Sequence, residues 1–200
     1  MNWSYAYNPD IWPALITLAL LIFLGTYSWR RRNIPAAKPF TIACVFGGLW
    51  TLGIILELSA SNLSTQVYWM KFQAVWHLPS ATVISCFVLQ YAGLGRWLTR
   101  RNLFLLFLPS LLNALLMITN DFHHLIWTEF SVNGHITASH GSLFWAFISF
   151  GILIGFFNLL VLVWLAISSP MHRWPVAIML VGQMIGRLGY PLCQHRCRLN

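Results

Sequence analysis

The sequence predicts an all-α fold, a polytopic transmembrane helix bundle of about six spans with a seventh missing, and three observations predict it. Hydrophobic residues make up 58% of the chain and charged residues 8%, where soluble domains carry about a quarter charged residues. The apolar residues gather into runs long enough to cross about 30 Å of hydrocarbon at about 1.5 Å per residue. The basic residues stand in short clusters between alternate runs, as cytoplasmic loops beside anionic lipid do. That placement also decides what the net charge of +8 means: the expected partner is the lipid bilayer, not nucleic acid.

The first span, 11–29, is closed by Arg30-Arg31-Arg32, which sets the N-terminus outside. Residues 1–8 hold Trp3, Tyr5 and Tyr7 but no basic residue, and no small-x-small site follows the apolar run, which argues against a cleaved signal peptide. The second span, 40–60, starts after Lys38 and carries Cys44, Gly47, Gly48 and Thr51 at helical spacing on one side, a face for close helix contact. The third span, 68–94, returns to Arg96, Arg100 and Arg101. Glu57 near the end of the second span and Lys71 near the start of the third then lie at similar depth on antiparallel neighbours, and the expectation is that they pair. The rival is a Lys71 that snorkels to water beside a protonated Glu57. Gln73, His77 and Ser80 continue a polar stripe down this helix and Pro79 is expected to kink it. His77 reads as a hydrogen-bonded bundle histidine rather than a ligand.

The fourth span, 103–119, contains Pro109 and Asn113 and ends at Ile118-Thr119-Asn120-Asp121-Phe122-His123-His124-Leu125-Ile126-Trp127, where polar groups suddenly concentrate. Thr119 and Asn120 suit frayed backbone groups, and Trp127 suits the headgroup layer. A polar loop, 120–142, follows and is long enough to suggest function. It holds His123, His124, His135 and His140 beside Asp121 and Glu129, types that bind Zn²⁺ or sense pH. Adjacent His123 and His124 point different ways on any regular element, so no metal site and no cofactor are assigned.

The fifth span, 143–167, carries Gly151 and Gly155 in a small-x-x-x-small pattern, then Asn158, and ends at Arg173. In the sixth, 174–192, the pattern degrades: Arg187 falls inside the span, and Arg196 and Arg198 follow on the outer side. The expectation is one bundle over 1–192 and a short basic tail, 193–200, that is an early stop or not native continuation. Cys193, His195 and Cys197 are too crowded for a zinc site, and Cys44 and Cys86 read as small core residues.

Nucleotide-binding glycine motifs and a nucleophile elbow do not occur in the sequence, and its four carboxylates form no close pair. The chain is therefore not expected to be an enzyme.

Several segments together resemble the N-terminal seven-helix sensor region of bacterial membrane histidine kinases. They are Leu56-Glu57-Leu58, Trp69-Met70-Lys71-Phe72-Gln73, Pro79, Leu89-Gln90-Tyr91-Ala92-Gly93 and, most specific, Thr119-Asn120-x-x-His123-His124-Leu125-x-Trp127. The resemblance implies a sensory input to two-component signal transduction, in the bacterial plasma membrane, with a cytoplasmic kinase output domain in cis in intact relatives. It also implies Glu57, Lys71, Asn120, His124 and Trp127 as family-typical positions. Together with His123 these are the residues expected to sense a small ligand or ion at the outer face. A second copy of the chain is a candidate partner. The alternative function is a small transporter or channel with His77, Asn113 and Asn158 along a midplane path; a passive scaffold assembling through Gly151 and Gly155 is a third.

Overall fold

A computed structural model describes residues 4–133, 135–169, 171 and 173–182. Its helices are α1 (Trp12–Arg30), α2 (Ala37–Ser59), α3 (Leu63–Tyr91), α4 (Arg100–Ile118), the short α5 (Asn120–His123), α6 (Phe144–Ser168) and α7 (Arg173–Gly182). α1, α2, α3, α4 and α6 are long and apolar enough to cross a membrane, so the protein is an all-α polytopic bundle. Of the expected sixth span only the part through Gly182 is described. Arg187, Cys193, His195, Arg196, Cys197 and Arg198 lie outside the described residues.

Local chemistry sets the helix ends. Asn62 Oδ1 accepts the Thr65 N–H at 2.8 Å, so α3 begins at Leu63 rather than near Tyr68. It ends where Gly93 takes φ +74° and the Leu94 N–H reaches back to the Leu89 carbonyl at 2.8 Å, the left-handed stop that glycine favours. Thr99 Oγ1 caps α4 by accepting the Asn102 N–H at 3.3 Å. Between α1 and α2 the chain turns at Ala36, φ 69°, whose N–H donates to Gln90 Oε1 of α3 at 3.1 Å. Pro79 sits inside a continuous α3, and Pro109 inside α4.

α3 is the central helix. Val88 and Leu89 pack with Val161, Leu162 and Leu165 of α6 and Val176 of α7. Gly151 faces Leu78, with 3.4 Å between the Leu78 methyl and the place a Cβ would occupy, so α3 and α6 run in the same direction. The small residue at 151 thus serves a seam within the chain. Against α4, the Thr82 and Ser110 hydroxyls are 2.5 Å apart and fully buried. Thr82 already donates to the Leu78 carbonyl at 3.0 Å, so Ser110 donates to Thr82. Gly25 of α1 approaches Cys44 of α2, while Gly47 and Gly48 receive Leu21 and Leu18. The small-residue face of α2 is a packing face for α1.

Connectivity divides the charges between the two ends of the bundle. Asp10, Glu57, Asp121 and Glu129 are at one end with the α2–α3 and α4–α6 connections. Arg30, Arg31, Arg32, Lys38, Arg96, Arg100, Arg101 and Arg173 are at the other. The chain's start straps the acidic end: Ala6 donates to the Ser59 carbonyl at 2.8 Å and Ser61 to the Ser4 carbonyl at 2.9 Å.

Where a polar loop was expected over 120–142, the backbone forms a hairpin of β1 (Trp127–Asn133) and β2 (His135–His140), antiparallel, with Phe130 opposite Ala138. Each strand supplies the backbone partners of the other. Asn133, the last residue of β1, stands opposite His135, the first of β2.

Candidate functional site: the polar turn at the acidic end

The chain leaves α4 through Thr119, whose hydroxyl donates to the Leu115 carbonyl at 2.9 Å. Asn120 then turns inward and is 1% exposed. Its Oδ1 accepts the N–H groups of Ile126 and Trp127 at 3.0 and 3.1 Å, and its Nδ2 donates to the Trp127 carbonyl at 2.8 Å. The one side chain therefore closes the loop from α5 to β1, giving backbone groups in an apolar setting the partners they require. Between them His124 takes the left-handed conformation, φ 51°, with its N–H on the Asn120 carbonyl at 2.8 Å. Asn120 was expected at the frayed helix end; its side-chain bonds go instead to Ile126 and to Trp127, the first residue of β1.

His123 is held at both ring nitrogens. Nδ1 accepts the Leu125 N–H at 3.0 Å, and Nε2 lies 3.1 Å from Thr119 Oγ1. Because the Thr119 hydroxyl is committed to Leu115, Nε2–H is the donor in that contact. His124 is exposed and makes no hydrogen bond through its side chain among the described residues.

Ile126 and Trp127 are buried at 0% and 5% exposure, packed with Met117 of α4 and with Met70, Ala74 and Phe147 around them. Trp127 is thus a core residue under the hairpin, not the headgroup anchor the sequence suggested. Its carbonyl partner Asn120 and its ring contact Phe130, 5.6 Å between centroids, place it inward. Gly141 makes this docking fit: its N–H donates to the Ile126 carbonyl at 2.8 Å, and a Cβ there would overlap the Leu125 carbonyl. Beyond it His140 stacks face to face on Phe144, 3.7 Å between centroids and 2° between planes, with Trp145 edge-on. Burial against these rings pulls the His140 imidazole below its ordinary pKa.

The expected Glu57–Lys71 pair does not form. Lys71 Nζ pairs with Asp121 of α5, and Glu57 Oε2 accepts from Gln73 Nε2. Lys71 and Gln73 are two residues apart, about 200° around a helix, so they cannot both face α2. Gly53 decides which does, since the place of its missing Cβ is filled by the Gln73 side chain. Lys71 is left on the side of α3 turned toward the exit of α4. His77 packs edge-on to Trp50 of α2, centroids 5.2 Å apart, while Asn113 and Asn158 are buried. Among the described residues no three His, Cys, Asp or Glu side chains are grouped to hold a metal.

Sequence reasoning singled out Lys71, Asn120, His123 and Trp127, which this turn brings together, Glu57, which lies outside it, and His124, which enters it through its backbone alone. It missed Asp121 as the ion-pair partner, Gln73 as the partner of Glu57, and Gly141. The spacing of Lys71 and Gln73 was an available signal for the second of these.

The family model for the N-terminal 7TM region of histidine kinase matches residues 13–193. The chain belongs to this family. No curated protein and no solved structure matches it. Membership makes this histidine-kinase 7TM region a membrane-embedded sensory input module, surrounded by lipid bilayer. The family is a sensor region, not a catalytic domain, and in relatives it stands in cis with a kinase domain.

Proposed function

We propose that this 7TM region senses a small ligand or ion at its acidic end, with that end and the N-terminus outside a bacterial plasma membrane. The basic end would pass the signal to a cytoplasmic kinase in cis. The observation that carries the reading is the clamp at the polar turn: Asn120 ties the hairpin to the exit of α4, and Asp121 ties the same turn to Lys71 of α3. A stimulus that moves the hairpin therefore acts on α3, the longest helix, which reaches the basic end and holds the α1–α2 turn through Gln90. A tenfold shift between two packings requires about 1.4 kcal/mol of differential interaction, comparable to one or two of these polar contacts.

The test joins the chain to a histidine-kinase core and follows autophosphorylation in proteoliposomes. Lys71→Met and Trp127→Ala are expected to change the basal level or the response; unaltered phosphorylation in both would sink the reading. Cysteines introduced at Arg31 and Glu129 and labelled with an impermeant reagent test the orientation, with Glu129→Cys expected to react from outside.

A further inference from the structure

We propose that the α3–α4 turn at the basic end is a binding site for the phosphate of an anionic phospholipid, with Arg96, Trp97 and Asn102 as its contacts. These three residues line an open cleft of about 270 Å³. The turn that builds the cleft is locally fixed: the Trp97 N–H donates to the Leu94 carbonyl at 3.0 Å, and Asn102 Nδ2 donates to the Trp97 carbonyl at 2.8 Å.

Each residue lining the cleft carries a donor. Arg96 offers a guanidinium, Trp97 an indole N–H and Asn102 a second amide N–H. Among the described residues the first two have no hydrogen-bond partner. The complementary ligand is an acceptor-rich anion, and guanidinium forks fit phosphate oxygens well. No carboxylate of the described chain supplies it, because all four acidic residues are at the opposite end of the bundle. Arg100 and Arg101 add to the same positive field.

Two features favour a lipid over free phosphate. An indole beside arginines at a helix end is the composition of the headgroup layer. Immediately beyond, Phe104 and Leu105 on the first turns of α4 are 61% and 55% exposed, an apolar surface on which acyl chains can lie while the phosphate sits in the cleft.

The test uses the full chain in a neutral detergent, titrated with phosphatidylglycerol and with phosphatidylcholine of the same acyl chains, bound lipid being counted by native mass spectrometry. Wild type is expected to retain phosphatidylglycerol in preference, and R96Q to weaken it about tenfold, the effect of one charge-assisted contact. R96K keeps the charge without the fork and is expected to fall between. R31Q, a basic-end control outside the cleft, should stay within twofold of wild type. Equal binding by R96Q and wild type overturns the site, and so does equal retention of phosphatidylcholine. An R31Q loss as large as that of R96Q overturns it in favour of diffuse attraction. Displacement by inorganic phosphate at concentrations matching the lipid overturns the lipid as ligand. Unchanged thermal unfolding of each variant excludes misfolding as the cause.

Discussion

Lys71, on the central helix α3, is ion-paired with Asp121, on the short helix that follows α4. The lysine side chain is 19% exposed and the aspartate 72%, so the pair is half in water and screened by salt. Its contribution to stability is expected to be about 1 kcal/mol or less. D121N should lower the unfolding temperature of the detergent-solubilised protein slightly in low salt and scarcely in high salt. The same variant should change kinase output in a fusion, because the pair is a link between α3 and the hairpin. An equal loss of stability at both salt levels would show that Asp121 acts other than as a counter-ion.

Asn120 carries a larger share. Asn120→Ala removes one donor and one acceptor and leaves the N–H groups of Ile126 and Trp127 and the Trp127 carbonyl unpaired in a buried place. The expected cost is about 2–4 kcal/mol. N120D retains the acceptor but turns a carboxylate oxygen toward the Trp127 carbonyl, so it should not rescue. Hydrogen exchange at 125–128 reads the effect directly: amides protected in the wild type should exchange in both variants while those of α3 stay protected.

Gly141 is tested separately. Its missing Cβ is the space taken by the Leu125 carbonyl, and backbone cannot yield as a flexible side chain can. G141A is expected to separate the hairpin from the loop before β1, and limited proteolysis should then cut between 127 and 143. Resistance equal to wild type would mean that the two backbones part without cost.

The hairpin's contact with α6 should be pH-dependent. Desolvation against Phe144 and Trp145 lowers the His140 pKa in the folded protein. A base whose folded pKa lies below its unfolded one binds fewer protons when folded, so stability is full above the unfolded pKa and falls as pH drops through the histidine range. His140 is exposed on one side, so the effect is small. The stability of the wild type should fall on acidification through that range by more than that of H140F, which keeps the stack and removes the proton site. Identical pH profiles would remove His140 as the cause.

The long helices were legible because lipid imposes one requirement, an unbroken apolar run, and α1, α2, α4 and α6 answer it directly. α3 began earlier than hydropathy suggests because Asn62 and the polar residues after it form a capped first turn, a local signal invisible to an apolar window. The pairing of Glu57 failed for a related reason. Depth in the membrane follows from residue counts, but azimuth follows from which residue packs at a seam, and only the approach of Gly53 to Gln73 fixes it. At the polar turn the sequence gathered the right residues without their partners: Asn120 and Trp127 are seven apart in the chain and meet only because His124 adopts a left-handed backbone. The Asn133-Gly134 dipeptide is a hairpin signal in the sequence that the expectation of a polar loop did not use.

The contact between Glu57 and Gln73 yields the sharpest energetic prediction, because both helices meet there without room for a substitute. Q73L leaves the Glu57 carboxyl without its described donor at the α2–α3 seam, and the expected cost is about 1–3 kcal/mol. E57L alone leaves the Gln73 amide unpaired, a cost of the same order. The double variant E57L/Q73L removes both polar groups and replaces them with apolar ones, which can be nearly neutral. A double-mutant cycle on thermal or denaturant unfolding should therefore show the double variant less destabilised than the sum of the singles, with a coupling of about 1–2 kcal/mol. Additive losses would mean that the two side chains are neighbours without interacting, and that Gly53 alone sets the seam. G53A separates those cases: it intrudes on Gln73 and on Phe72 at 3.1 Å, so it should destabilise wild type about 1–3 kcal/mol by overpacking even in the E57L background.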